Sequence, residues 1–597
     1  INYHYGGYLF YSIPLKVFGV PPEMGYNLVI PTVAALAASI AFCLGRALWG
    51  RCRLAGISVL FILFVGNLAA FFEIFNGKTI ATDLFSWRWG YLWKTSRVIR
   101  DAGGETINEY PFFSILWGDI HPHFSNIPFV LLFMVIAFAL YQAIVRLRFR
   151  VLYRLEWPLL ATAVVSGALL FPTNVFDFPV FSLFLGAVVL AGAGQSFVRN
   201  QKAGLDTLSK AGLALLPLGS YLLAFPFWFY FESPLGESPL RWVEVRSTSL
   251  DMILVFGAHL VGSLVFLFLH RSVQIPAPTK EDVLLTLSGY GLIVVALWVW
   301  TGAVMAAMLP VIALLFWLTA ARAAWSTEES YLPQPVLIFA AIACALGWSL
   351  IAGCEYIYLK DNYGVARMNT LFKFHFPAWI LLGAGLPPLV YFAFKQQKNA
   401  AIRSFVGLPL ALVVLMALAG PLYCLQGIYT MPATQTGNTL NGIAFLQKSN
   451  PLAFEIIHWL RENSRPGDRI LEPAGSAYQL ENLFSTHTGR ATIVGWVNHE
   501  HLWRPQQLRY NDGSTEGVRR QQDSFRFFTT PNWDEAKGIL KKYEIRYVAF
   551  TPPINAEIRN RLAGTAQAAY RAHLEPVFKG IGNGQSPELY RVPETLD

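Results

Sequence analysis

Residues 109–125 read Glu-Tyr-Pro-Phe-Phe-Ser-Ile-Leu-Trp-Gly-Asp-Ile-His-Pro-His-Phe-Ser, which sets Asp119, His121 and His123 at two-residue spacing just before a long apolar run. Pro122 biases His121 toward extended backbone, and extended residues at i, i+2 and i+4 share a face. The carboxylate and both imidazoles are therefore expected to point into one cavity. Such a trio can hold a divalent metal, Mg or Mn, can exchange protons as acid and base, or can bind phosphate through a protonated histidine. Glu109 supplies a second carboxylate upstream. The competing reading is a hydrogen-bonded loop that only positions the following helix; the cost of charged groups at membrane depth favours function.

A second group lies at 361–376, Asp-Asn-Tyr-Gly-Val-Ala-Arg-Met-Asn-Thr-Leu-Phe-Lys-Phe-His-Phe. Arg367 and Lys373 stand near the start of an expected span, facing the positive end of its dipole and lying in a loop of the kind that is normally poor in cations. An anion should compensate them. A lipid-linked phosphate or diphosphate fits, and so does internal pairing with Asp361 or Asp119. In Phe-Pro-Thr-Asn-Val-Phe-Asp-Phe-Pro (171–179), Asn174 and Asp177 either line the same cavity or cap the next helix.

Elements that could position these residues follow from hydropathy. The chain of 597 residues is 54% hydrophobic and 14% charged. Apolar stretches near 26–49, 54–73, 126–146, 156–172, 176–194, 211–231, 251–270, 283–301, 302–321, 335–353, 374–394 and 404–425 give roughly twelve spans by length. The expected class is thus a polytopic α-helical membrane protein. Arg46, Arg51 and Arg53, then Arg146 to Arg154, Arg199 to Lys210, Arg271 and Lys280, Arg322, and Lys395 to Arg403 occupy alternate short connections, which places those connections in the cytoplasm. The other connections then lie outside, so localisation is the cell (plasma) membrane with an extracytoplasmic C-terminal region. This topology explains the net charge of +9, which offers no separate argument for nucleic acid.

Residues 1–25 read as the end of a first external loop, 26–425 as the multi-span domain with an external loop at 74–125, and 430–597 as an external soluble α/β domain. In the loop, 85–93 mixes Trp87, Trp89, Tyr91 and Trp93 with Arg88 and the following Lys94, which suits a helix in the headgroup layer, either as an ordinary aromatic belt or as a guide for substrate. In the C-terminal part, helices at about 453–463 and 532–542 alternate with strands at Arg469 and Ile545, which implies a largely parallel sheet. The run 495–504 matches no zinc motif and reads as structural or docking surface. Five cysteines without paired spacing argue against a disulfide framework or a zinc site, and no Walker loop, nucleophile elbow or dinucleotide fingerprint is present. The chain opens at Ile1 with Ile-Asn-Tyr-His-Tyr-Gly-Gly, so an upstream portion is expected.

The runs Ile1-Asn-Tyr-His-Tyr-Gly-Gly, Glu109-Tyr-Pro-Phe-Phe-Ser, Gly118-Asp-Ile-His-Pro-His, Thr173-Asn-Val-Phe-Asp-Phe-Pro, Arg367-Met-Asn-Thr-Leu-Phe-Lys-Phe, and Gly495-Trp with His499-Glu and Trp503-Arg resemble, in order, those of the YYY-type polytopic membrane proteins. That family is largely uncharacterised. Its architecture resembles the C-type membrane glycosyltransferases (GT-C fold), the group of oligosaccharyltransferases and protein O-mannosyltransferases that use polyprenyl-phosphate-linked sugars on the external face. His4, Phe176, His375 and Pro377 depart from the family pattern. The resemblance also implies that a segment before Ile1 would carry a catalytic carboxylate.

Together these readings give an integral membrane glycosyltransferase with a GT-C-like fold, partnered by membrane lipids, a polyprenyl-phosphate sugar donor and a glycan, lipid or protein acceptor. Arg367 and Lys373 would hold the lipid phosphate, with Asn174, Asp177 and Asp361 beside it. Asp119 with His121 and His123 would organise a metal or the acceptor, and Asp119 and Glu109 are the candidate catalytic carboxylates. The alternatives are a lipid or glycolipid transporter, which Asp177 and the proline-broken spans would suit, and a non-catalytic scaffold of an envelope assembly.

Overall fold

The computed structural model describes residues 3–76, 88–102, 104–200, 204–233, 239–274, 295, 298–299, 302–327, 333–360, 367–430, 439–475, 481–503, 516–550, 572–579 and 588–596. The chain divides into two compact units, one of Tyr3–Phe231 with Leu235–Pro432 and one that is chiefly Ala433–Asp597.

Apolar composition and length make the first unit helical. After a short helix α1 (Gly6–Val17), the long helices are α2 (Pro22–Trp49), α3 (Ile127–Arg146), α4 (Asp177–Asn200), α5 (Ser249–Gln274), α6 (Val304–Ala324), α7 (Gln334–Gly353), α8 (Met368–Gln396) and α9 (Ala400–Thr430). Among the described residues, eight helices are long and apolar enough to cross a membrane, or ten if two bent pairs each count as one span. One bent pair, Cys52–Phe64 with Leu68–Phe75, turns by 66°. There the Gly66 N–H leaves its helix for the Ala417 carbonyl at 2.9 Å, and the Asn67 side chain accepts from Ala70 N at 2.9 Å. The other, Phe149–Leu155 with Trp157–Thr173, turns by 73°.

The expected span at 211–231 is not one helix. It breaks into a 3-10 turn, Gly212–Leu215, and short helices Leu216–Leu223 and Phe225–Trp228, each short helix starting beside a proline, Pro217 or Pro226, that has no N–H to continue the preceding turn. The expected span at 283–301 lies outside the described residues apart from Val295, Trp298 and Val299. In the segment 85–93, residues 85–87 lie outside the described residues; Tyr91 is buried, its hydroxyl on the Ala70 carbonyl at 2.8 Å, so that part packs inward rather than along a lipid surface.

Small residues set the centre. The α7 and α8 windows are 83% buried, against 22% for α9. A Cβ at Gly385 would lie 2.6 Å from the Ala340 carbonyl, and one at Gly383 would lie 2.8 Å from that of Phe61, so these helices touch backbone to backbone.

Contacts sort the connections onto two ends of the bundle. At one end the Phe149 N–H bonds Asp206 at 2.8 Å, Arg199 reaches Gln334 at 2.9 Å, and Trp49 packs on Tyr391, which brings the basic short connections together. At the other end Asn126, before α3, reaches Asp177 at 2.7 Å, and the His123 ring meets Phe372 and Phe376 of α8.

The C-terminal unit holds a four-stranded sheet of β1 (Arg469–Leu471), β2 (Ile545–Ala549), β3 (Glu575–Lys579) and β4 (Glu588–Arg591), in the order β1-β2-β4-β3. Among the described residues β1–β2 is parallel while β2–β4 and β4–β3 are antiparallel, so the sheet is mixed rather than largely parallel. Its alternating residues feed two cores: Ile470, Tyr547 and Leu589 face the helix Pro451–Asn463, while Leu471, Val548 and Tyr590 face Trp533–Lys542. The register opposes Pro576 of β3, an edge strand, to Tyr590.

Gly385→Ala is expected to destabilise the chain by about 1–3 kcal/mol through overpacking, read as a lower unfolding temperature in detergent. Gly186→Ala, where a Cβ meets nothing within 4 Å, is expected to leave that temperature level or raise it. Equal behaviour of the two variants would contradict the close contact.

Candidate functional site

The loop before α3 is shaped by its own sequence. Gly118 takes φ 69° to end the helix Pro111–Trp117, and Pro122 starts the turn Pro122–Ser125, leaving His121 extended at φ −71°, ψ 153°. His121 Nδ1 stands 3.0 Å from Asp119 Oδ2, and the Tyr26 hydroxyl donates to Asp119 Oδ1 at 3.3 Å while accepting from the Ile120 N–H at 3.1 Å. Burial pushes the Asp119 carboxyl up, but hydrogen bonding and charge from His121, with His123 and Tyr26 behind it, bring it below the ordinary range. Both side chains remain open to solvent, 48% exposed for Asp119 and 36% for His121. With Nδ1–H on the carboxylate, Nε2 of His121 carries the lone pair, which is the arrangement of a general base.

The His123 ring lies 5.1 Å from that of His121 but, unlike that pair, it is buried. Because helix begins at Pro122, His123 leaves the extended run and turns inward, where its Nε2 lies 3.2 Å from Glu109 Oε2 and 3.2 Å from Ser114 Oγ. Glu109 also meets Arg97 at 3.4 Å, and Arg97 stacks over Trp93 at 4.0 Å. Burial pushes His123 down to about 4 despite the pull of Glu109, so it is neutral at pH 7. Burial pushes Glu109 up, yet the hydrogen bond to His123 and the charge of Arg97 outweigh that and hold it below its usual value, leaving it ionised. The trio therefore splits into an exposed pair and a buried one. Among the described residues no three His, Cys, Asp or Glu side chains are placed to hold a metal. With His121 Nδ1 on Asp119 and His123 Nε2 on Glu109, the donors of Asp119, His121 and His123 do not fit Mg or Mn.

Lys373 is buried on the first turns of α8, its Nζ 4.3 Å from the Phe372 ring and 5.6 Å from that of Phe176. It acts electrostatically on His4, His123 and Asp177. Asp177 Oδ2 receives Asn126 at 2.7 Å and Asn174 at 2.8 Å, both buried, and Asp177 starts α4. His4 packs against Phe176 and accepts from the Val175 N–H at 3.4 Å. Burial, with Lys373 and then His121 nearby, pushes His4 well below its ordinary value.

Arg367 corrects the sequence reading. Its guanidinium, 1% exposed, donates to Asp101 Oδ2 at 3.0 Å, to Glu355 Oε1 at 3.0 Å and to the Cys354 carbonyl at 3.1 Å, with Ser247 Oγ at 3.4 Å. Internal pairing prevails, through Asp101 and Glu355 rather than Asp119, and the guanidinium is not presented to a ligand phosphate. Asp361 lies outside the described residues. Tyr26, Arg97, Ser114 and Asn126 were not singled out in the sequence. Only Arg97 carried a signal, as a cation in a connection where cations are scarce.

With that geometry in view, the sequence model described as "Uncharacterized membrane protein (DUF2298)" matches residues 1–382. No curated protein matches the chain. Among solved structures, the chain is similar to the archaeal oligosaccharyltransferase AglB from Archaeoglobus fulgidus in complex with an inhibitory peptide and a dolichol-phosphate, at 12% identity and a TM-score of 0.37, covering 100% of this chain and 66% of that one. It is also similar to the Archaeoglobus fulgidus oligosaccharyltransferase complex with Zn and sulfate, at 13% identity and a TM-score of 0.36, again covering 100% and 66%. The chain thus spans just under two thirds of the length of these proteins.

A histidine held neutral in the fold binds fewer protons than in the unfolded chain between its two pKa values, so stability should fall as pH drops from about 6.5 to about 4, by roughly 3 kcal/mol from His123. The lowered Glu109 acts in the same direction, losing its contribution as pH falls through its folded value. His123→Gln is expected to flatten denaturation midpoints measured across that window; an unchanged slope would assign it to other groups.

Proposed function

The chain belongs to the DUF2298 family of uncharacterised membrane proteins, and from that premise we propose that it is a membrane glycosyltransferase of GT-C-like architecture, taking a polyprenyl-phosphate-linked sugar on the extracytoplasmic face. The observation that carries the reading is the half-exposed Asp119–His121 pair, set at the same end of the bundle as the buried cation Lys373. The basic short connections gather at the opposite end, which supports an external position for the pair and for the C-terminal unit.

In the proposed reaction an acceptor hydroxyl attacks the anomeric carbon of the donor sugar. Its proton passes to Nε2 of His121, the bond from that carbon to the lipid-phosphate oxygen breaks, and the lipid phosphate leaves as an anion facing Lys373. Asp119 fixes the His121 tautomer and stabilises the imidazolium that forms. Glu109 is ionised but buried with Arg97 and His123, so it positions His123 beneath the reacting pair rather than receiving the proton. Asn126 and Asn174 hold the Asp177 carboxylate near Lys373, and displacing that carboxylate's influence would admit the donor phosphate. The C-terminal unit would select the glycan, lipid or protein acceptor.

Transfer of radiolabelled sugar from polyprenyl phosphate by the full-length protein in lipid nanodiscs is expected to fall by about 10²- to 10⁴-fold in His121→Ala and Asp119→Asn. Variants that insert and fold normally yet keep full transfer would remove the pair from the mechanism. Absence of transfer from every donor by the folded wild type would favour transport.

A further inference from the structure

A cavity of about 330 Å³ opens between the segment before α1 and the helix Phe225–Trp228, walled by Tyr5, Phe227, Tyr230 and Phe231. Its volume lies in the range of small-molecule sites. Among the described residues the wall is four aromatic rings with no charged side chain. A saccharide there would find only two phenol hydroxyls for its many polar groups, leaving most of them unpaired, so the wall suits a hydrocarbon chain. The surroundings agree, because the neighbouring helix Leu216–Leu223 and its continuation leave Leu218 (55% exposed), Leu222 (60%) and Phe229 (59%) uncovered, as a lipid-facing surface would. A run of ring contacts links the cavity wall to a cation: the Phe231 ring lies 5.8 Å from His4, His4 lies 6.1 Å from Phe176, and Lys373 Nζ lies 5.6 Å from Phe176.

The geometry points to a binding site for a long-chain lipid phosphate, with the first part of the chain in the Tyr5–Phe227–Tyr230–Phe231 cavity and the phosphate directed to Lys373. This rests on the proposed function for the role of Lys373 and adds the place where the lipid chain lies. The phosphate could belong to a polyprenol or to an ordinary anionic phospholipid, and the two share this chemistry.

The test is photolabelling of the full-length chain in phosphatidylcholine nanodiscs with a polyprenyl monophosphate carrying a diazirine on its chain. The expected result is label on Tyr5, Phe227, Tyr230 or Phe231, reduced about tenfold by Lys373→Gln, the scale of one charge-assisted hydrogen bond. Tyr230 is 77% exposed, so Tyr230→Ala should fold and should also lower labelling. Displacement by unlabelled polyprenyl phosphate alone identifies the polyprenol as the lipid; equal displacement by phosphatidylglycerol identifies an ordinary phospholipid, and either result supports the site. Label displaced by free saccharide alone, or label found only elsewhere on the folded chain, overturns it. Labelling retained in a preparation with no transfer would sink the glycosyltransferase reading alone; transfer retained without labelling would sink this inference alone.

Discussion

One guanidinium joins four parts of the membrane unit. Arg367 draws together Asp101 from the loop before α3, Ser247 from the segment before α5, Cys354 and Glu355 from the end of α7, and its own position at the start of α8. Taking three charges out of water is expensive, and the arrangement persists because the planar fork of arginine gives each carboxylate a directed hydrogen bond. Removing one member of such a buried set typically destabilises by 3–5 kcal/mol, since the remaining charge has no solvent to turn to. The start of α8, and with it Lys373 and the aromatic rings against His123, takes its height in the bundle from this junction. The site is therefore placed by a contact that does not take part in it.

Around that anchor the polar residues form two layers. The inner one, Glu109 with Arg97 and His123, is closed and satisfied on the sides that face one another, and it gives rigidity to the loop above. The outer one, Asp119 with His121 and Tyr26, keeps contact with solvent and has one imidazole nitrogen uncommitted.

Much of this was legible in the sequence, and the failures have physical causes. Hydropathy located most of the long helices, and Pro122 dictated the extended His121. It did not foretell that the same proline would begin a helical turn and swing His123 inward, because the choice depends on Phe372 and Phe376, far away in the chain. The partners of Arg367 were hidden for a similar reason: Asp101 is remote in sequence, and Glu355 stood among apolar residues with nothing local to mark it. Pro217 and Pro226 were visible, but hydropathy averaged over 211–231 masked their effect on the backbone. Only positions 580–587 separate β3 from β4, too few for the crossover that a parallel pairing needs, and the mixed sheet follows from that.

Pro576 on β3 has one more implication. An outermost strand offers a row of unsatisfied backbone donors and acceptors on which a stranger's strand can continue the ladder. A proline in that row removes a donor, and Glu575 adds a charge beside it. That edge of the C-terminal unit is thereby guarded against edge-to-edge self-association, which matters for a protein confined to two dimensions, where neighbouring copies meet repeatedly in the same orientation.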